Sequence, residues 1–292
     1  MPESGIDQLS APAPKIEKIT TADIKPVIPE VGGTVIVLQR NASDKASRSL
    51  PETDPNFGAL GEGEAEATRD EAKAFFDGIL NGLSPEEQAK VDILVVAGNA
   101  TLRMPQKKGP RKRSIETAEH VLEGARASLT EHGLDVSQLL NKTGKPIELT
   151  SGRLLDLKML DESEFLKFLL DKYGDTQQLW ARYEDDTDKE VRLQMGVEGP
   201  WDVADRVAGY METVKNALRH YHDRHPDRRA IVYAVSQYDS ISPFVKKYAV
   251  GQTIEDWLQV GYRAGVVFDV KKDGQTSTQI QGQNFPVSFN RA

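Results

Sequence analysis

The 292-residue chain has no cysteine. That excludes a disulfide framework, a thiolate zinc site, an iron–sulfur cluster and a cysteine nucleophile. Histidine is scarce: His120, His132, His220, His222 and His225 are the whole supply, so any chemistry needing an imidazole must draw on one of them. No segment approaches the ~18 consecutive apolar residues of a membrane span. Met1 to Pro14 lacks the basic start and apolar run of a secretory signal. These absences predict a cytoplasmic protein with no membrane partner. There is also no Gly-x-x-x-x-Gly-Lys-Ser/Thr loop, no Gly-x-Gly-x-x-Gly after a strand and no Gly-x-Ser-x-Gly elbow. ATP hydrolysis, dinucleotide chemistry and serine hydrolysis therefore have no support, and no cofactor is expected.

What the chain does contain is a slightly polar globular composition, 38% hydrophobic and 28% charged. Its 37 Lys and Arg against 45 Asp and Glu leave a net charge of −8. That balance argues against a general nucleic-acid binder, because contacts to phosphate dominate such affinity. Residues 1–30, with repeated proline and no amphipathic period, read as a disordered or extended tail. Residues 31–292 read as one domain.

Three short apolar runs carry the signature of buried strands: Thr34–Leu38, Val91–Val96 and Ala230–Val235. Helical periodicity lies between them, over 63–80, 114–129 and 201–221. Further helices are expected over 241–248 and 254–260. Strands over 264–270 and 283–289 are expected to pair through the turn at Lys271–Gly274. Residues of about 130–200 read as a helical insertion with charged helices over 162–172 and 176–184. Within it the acidic run Glu184–Glu190 reads as a solvated loop. Strands alternating with helices predict an α/β fold, a three-layer α/β/α sandwich with a mainly parallel central sheet. In such sheets ligands sit beyond the carboxyl ends of the strands. The loops after Leu38, Val96 and Val235 are therefore the ones to read.

Leu38-Gln39-Arg40-Asn41 follows the first strand. Arg113 precedes Thr117-Ala118-Glu119 at the head of a helix. Val235-Ser236-Gln237 closes the third strand, and the stretches Ala59–Ala65 and Trp201–Val207 open two of the helices. In this order the pieces resemble the histidine phosphatase superfamily, with its phosphoglycerate mutase-like fold, over residues of about 32–292. In that family the first strand ends in Arg-His-Gly, a helix opens with Arg and then Thr-Ala-Glu, and a later strand ends in Ser-His-Gly. The resemblance implies a histidine nucleophile, arginines and a second histidine around the phosphoryl group, and a carboxylic acid for the leaving oxygen.

This chain departs from that pattern. Gln39 and Arg40 stand at the Arg and nucleophilic His positions, Asn41 at the Gly, and Gln237 at the second His. Sliding the register by one residue puts Asn41 at the nucleophile instead. Neither a guanidinium nor an amide is a nucleophile. The carboxylate that belongs before the Arg-Val helix is displaced or absent in Glu198-Gly199-Pro200-Trp201. The resemblance thus implies a degenerate member: a pseudoenzyme binding a phosphorylated or other anionic ligand, or a protein partner through the tail or the insertion. Its phosphate pocket would comprise Gln39, Arg40, Asn41, Arg113 and Gln237, with Lys107, Lys108, Arg111 and Lys112 on the rim. Arginine and amide donors, together with the start of the helix after Arg113, suit an anion. The plainer reading has the basic loop merely solvated and Arg40 paired with Asp44 or Asp239. Two other functions stay open. One is an active phosphomonoesterase in which Ser43 or Asp239 supplies the missing chemistry; the other is a purely structural interaction protein. The His-rich helix end at His220, His222 and His225 lies among Arg219, Arg224, Arg228 and Arg229, which would repel a metal, so no metal site is expected there.

Overall fold

The computed structural model describes residues 15–43, 50–51, 54, 59–98, 113–149, 164–174 and 177–290. In chain order its strands are β1 (Lys18–Ile19), β2 (Thr34–Arg40), β3 (Val91–Gly98), β4 (Ile147–Leu149), β5 (Arg229–Ser236), β6 (Gln259–Val260), β7 (Gly265–Val270), β8 (Thr276–Ile280) and β9 (Gln283–Pro286). Its helices are α1 (Glu62–Leu80), α2 (Pro85–Gln88), α3 (Arg113–Glu131), α4 (Glu164–Tyr173), α5 (Gln177–Glu184), α6 (Lys189–Gln194), α7 (Pro200–Arg224) and α8 (Tyr238–Phe244). The last runs into a wider-pitched turn over Val245–Val250.

The main sheet has the order β4-β3-β5-β2-β7-β8-β9. β4, β3, β5 and β2 run parallel, while β7, β8 and β9 are antiparallel additions. The central strands are apolar throughout because both faces are covered, as expected for a parallel sheet. Along β2, Val35 and Val37 enter the core under α1 and α3, with Phe75, Phe76, Val121 and Leu122. Ile36 and Leu38 enter the opposite core, under α7 and α8, with Val207, Met211 and Phe244. The result is the α/β/α sandwich expected from the alternation of strands and helices. The insertion helices α4 and α5 carry a third apolar cluster around Phe165, Leu166, Leu169, Leu179 and Tyr183. Among the described residues, no helix is long and apolar enough to cross a membrane.

The structure departs from the sequence reading in four places. The segment read as a tail runs over residues 15–30 with one helical turn at Thr21–Asp23, and it buries more than its composition suggests. Ile16 and Ile19 are 1% and 0% exposed, and β1 pairs in parallel with β6. The Asp23 carboxylate accepts from the Thr20 and Gln281 amides, at 2.8 and 2.9 Å. Residues 254–260 are not helical. Their last two residues form β6, which depends on β1 as its partner and so gives no local signal. The turn at Lys271–Gly274 pairs β7 with β8, not with the strand at 283; β8 (Thr-Ser-Thr-Gln-Ile) is too polar to stand out. The acidic run 184–190 is not a solvated loop. Asp188 pairs with Lys172 at 2.6 Å, Asp186 with Arg192 at 2.7 Å, and Glu184 is 3% exposed.

Because Ile19 is a core residue, Ile19→Ala should lower unfolding stability by about 2–4 kcal/mol in urea titration. A change near zero would mean that the strap contributes nothing to the core.

Candidate functional site

The parallel pairing of β2 with β5 runs from Thr34 opposite Ala230 to Arg40 opposite Ser236. Both strands therefore end at the same level, and the turns beyond them share one edge of the sheet. β7 runs the other way, so the loop before it, Gly261–Ala264, arrives at that edge too. Gly265 faces β2 so closely that a Cβ there would lie 2.3 Å from the Leu38 carbonyl oxygen and 2.8 Å from the Gln39 Cα. Only glycine permits this approach. It lets the Arg40 amide donate to the Ala264 carbonyl at 2.7 Å and the Gln39 side chain donate to the Arg263 carbonyl at 2.9 Å. Arg263 adopts a left-handed backbone (φ 59°) and is gripped by Glu64 at 2.5 Å and Glu71 at 3.1 Å.

Strand alternation separates the two residues that close β2. Gln39 follows Val35 and Val37, whereas Arg40 follows Ile36 and Leu38 toward α7 and α8. The Arg40 guanidinium lies 3.9 Å from the ring centre of Tyr262 and 5.2 Å from that of Tyr238. Its Nη1 donates to the Val260 carbonyl at 2.5 Å. Among the described residues no carboxylate comes within ion-pair distance of it. Burial lowers its pKa, opposed by Tyr262, Asp239 and Tyr238, and the charge of Arg113 lowers it further. A guanidinium nevertheless remains a cation at any neutral pH.

Asp239, in α8, is a buried carboxyl group on which the charges of Arg40 and Arg113 act. It is 4% exposed. Burial raises its pKa to about 7, against the opposing pull of its own backbone amide and of Arg40, Arg113 and Arg206. Arg206 projects from α7 and is fixed by two hydrogen bonds to Glu198, at 2.8 and 3.0 Å. Tyr183, from the insertion helix α5, is 3% exposed and feels the charges of Asp239, Glu198, Arg192 and Arg206; burial, the largest influence, drives its phenol well above its usual range. Four buried atoms of this cluster have no hydrogen-bond partner among the described residues: Arg40 Nε, Arg206 Nη1, Tyr183 OH and Asp239 Oδ1. Buried polar atoms are nearly always satisfied, so four in one electrostatic cluster need a reason.

Of the residues singled out from sequence, Arg40 and Arg113 both act electrostatically on Asp239. Gln237 is buried directly before Tyr238 and Asp239, and its carbonyl accepts from Ser240 and Ile241 at the start of α8. Asn41 is turned toward α3, donating to the Ser114 hydroxyl at 3.3 Å, while its amide donates to the Ser236 carbonyl at 2.8 Å. Gln39 is held by the β7 loop, with its Oε1 buried and unpartnered. The amide of Ser43 donates to Glu64 at 3.2 Å. Lys107, Lys108, Arg111, Lys112 and Asp44 lie outside the described residues. Arg206, Tyr183 and Glu198 join the site without having been picked out as ligand contacts. Arg206 lies in the helix-opening stretch already noted, beside Val203 and Val207 on the apolar stripe, where an arginine is costly unless used.

The five histidines are elsewhere. His222 contacts the Thr34 hydroxyl at 2.9 Å, at the opposite end of β2, and His225 packs on Tyr221. His220 is an exposed neighbour of Asp223 on the same helix end. His132 bridges the Ser128 carbonyl and Asn81, and His120 pairs with Glu123 on the outer face of α3.

No protein-family model matches this chain, and no curated protein does. Among solved structures it is similar to a mycobacterial hydrolase at 12% identity, covering 86% of this chain and 99% of that one, with a TM-score of 0.44. A mycobacterial glucosyl-3-phosphoglycerate phosphatase is similar at 14% identity over 85% of this chain and 98% of its own, with a TM-score of 0.43. A second mycobacterial hydrolase gives 13% identity, 86% and 84% coverage and a TM-score of 0.42.

The raised pKa of Asp239 has a definite sign. Between its unfolded value of 3.8 and about 7, the folded protein keeps a proton that the unfolded chain has released. This contribution to stability is therefore lost as pH rises through that window. Urea titrations should show the wild type losing stability relative to Asp239→Asn as pH rises from about 5 to about 8, by at most roughly 1.4 kcal/mol per pH unit. Parallel pH profiles would mean that Asp239 is an ordinary carboxylate.

Proposed function

We propose that this chain is a histidine phosphatase-like protein that binds a phosphorylated or other anionic ligand at the carboxyl ends of β2 and β5 without turning it over. The observation that carries this reading is that Arg40 and Arg206 each keep a buried N–H with no partner among the described residues, while both, with Arg113, act electrostatically on the buried Asp239 carboxyl group. A phosphate-like anion supplies the acceptors that such donors need, and arginine forks suit its planar oxygen pairs. The second half of the reading rests on residue chemistry. Phosphoryl transfer to the protein needs a nucleophile, and the strand ends offer Arg40, Asn41 and Gln237 instead.

One feature favours turnover as a second reading. A carboxylic acid with a pKa of about 7 is suited to protonate a leaving oxygen. It would then act on a phosphomonoester attacked by water, since no protein nucleophile faces it among the described residues.

Thermal unfolding with phosphate or vanadate, together with turnover of an aryl phosphate, separates these readings. Tenfold excess over Kd should add about 1.4 kcal/mol, a rise of about 3 °C in Tm. That rise should be lost in Arg40→Ala and Arg113→Ala, with no turnover in any form. Turnover abolished by Arg113→Ala would overturn the non-catalytic half. The absence of both shift and turnover would favour a purely structural role.

A further inference from the structure

The strap over residues 15–30 reaches the site through one loop. β1 runs parallel to β6, with Lys18 opposite Gln259 and Ile19 opposite Val260. The Gln259 amide donates to the Glu17 carbonyl at 2.9 Å, and the Gly261 amide to the Ile19 carbonyl at 3.0 Å. The carbonyl of the same Val260–Gly261 peptide unit accepts from Arg40 Nη1 at 2.5 Å. Tyr262 comes next, its ring centre 3.9 Å from the Arg40 guanidinium carbon. The Ala264 carbonyl then accepts from the Arg40 amide at 2.7 Å. One short stretch, 259–264, is thus bonded to the strap on one side and to Arg40 on the other.

The ends of this stretch are anchored elsewhere. The Leu258 amide donates to Glu184 at 3.2 Å, and Arg263 pairs with Glu64 and Glu71. Its middle is left to β1, which among the described residues is the one ladder partner of β6. β1 is only two residues long. Its hold on the domain includes Ile16 and Ile19 in the core, the Gln252 side chain donating to the Ile16 carbonyl at 2.9 Å, and Gln281 donating to the Lys18 carbonyl at 2.7 Å. Short segments with few buried contacts open more readily than central strands.

We infer that the strap is a positioning element of the anion site: docked through Ile19, it orients the Val260–Gly261 peptide that holds Arg40, and undocked, it releases Arg40, so that strap and ligand stabilise one another. This rests on the anion-binding reading above and adds its regulation. The bridge works because the N–H and C=O of a trans peptide point in opposite directions. One group of the Val260–Gly261 peptide therefore faces Ile19 while the other faces Arg40. With Nη1 and the guanidinium face both engaged, the buried Arg40 Nε is held in one place, and it has no partner among the described residues. Coupling of this kind is reciprocal.

Native-state hydrogen exchange of the full chain in low urea tests the coupling without a variant. The amides of Gln259, Gly261 and Arg40 should share one opening free energy, below that of the central strands. Ile19→Ala should speed exchange at all three together, by about tenfold or more; if that variant fails to fold, the wild-type measurements decide. Inorganic phosphate at ten times its measured Kd should slow exchange at Gln259 and Gly261 roughly tenfold, because the undocked form does not bind it. A strap with only a structural role would not respond to phosphate. An Arg40 amide opening at a different free energy from Gln259 and Gly261 would overturn the inference. So would phosphate that raises Tm yet leaves exchange at those two amides unchanged, and the anion reading would then stand. No phosphate binding would overturn the anion reading and the link to a ligand, while the three opening free energies would still decide whether the strap holds Arg40.

Discussion

The parallel pairing of β2 with β5, held through seven residue pairs at the centre of the sheet, is the constraint on which the site depends. It sets Arg40 level with Ser236 and places the two following turns side by side. Everything that reaches this edge does so relative to that register: the β7 loop through Gly265, α3 through Asn41 and Ser114, and α8 directly from the end of β5. A one-residue slip would exchange Gln39 and Arg40 between the two faces. The fully apolar stretch from Val35 to Leu38, buried on both sides, gives the chain no cheap way to slip.

Placing three arginines and a carboxyl group at this edge costs solvation, and the surrounding structure holds them against it. Among the described residues Arg40 is held by two aromatic faces and a carbonyl rather than by an ion pair, which leaves its Nε without a partner there. Arg206 is tied to Glu198, yet one of its nitrogens is unpartnered. The insertion is anchored close by. Glu184 accepts from Ser242 at 2.6 Å and from the Leu258 amide at 3.2 Å, and it pairs with Lys246. A buried pair of this kind adds little net stability beyond its desolvation cost, but removing one partner costs about 3–5 kcal/mol. It therefore fixes where α5 sits, and with it Tyr183.

The central strands and the long helices were legible because each announces itself locally. Val91–Val96 and Ala230–Val235 are apolar runs, and α7 has Val203, Val207, Tyr210 and Met211 on one stripe. The elements that were not legible are those whose stability is borrowed from a partner distant in sequence. β6 exists only against β1, β8 is polar because it is an outlying strand, and the acidic turn before α6 is ordered by Lys172 and Arg192. The site divides in the same way. Arg40 and Arg113 stand out as candidates because they lie at a strand end and a helix start, where an α/β sheet puts its ligands. Tyr183 and Arg206 escaped notice because each occupies an apolar stripe and reads as packing. Asp239 was noticed only as a possible partner or catalyst, since its influence comes from burial, which composition does not reveal.

The central claim is that the guanidiniums gathered around Asp239 form an anion site. A crystal structure of the protein soaked with tungstate tests this most directly, because the heavy oxyanion is located by its own scattering. The account predicts one tungstate within hydrogen-bond distance of Arg40 Nε and Arg206 Nη1, with Asp239 beside it. Tungstate bound only at surface lysines, with the Asp239 cluster unchanged, would contradict it.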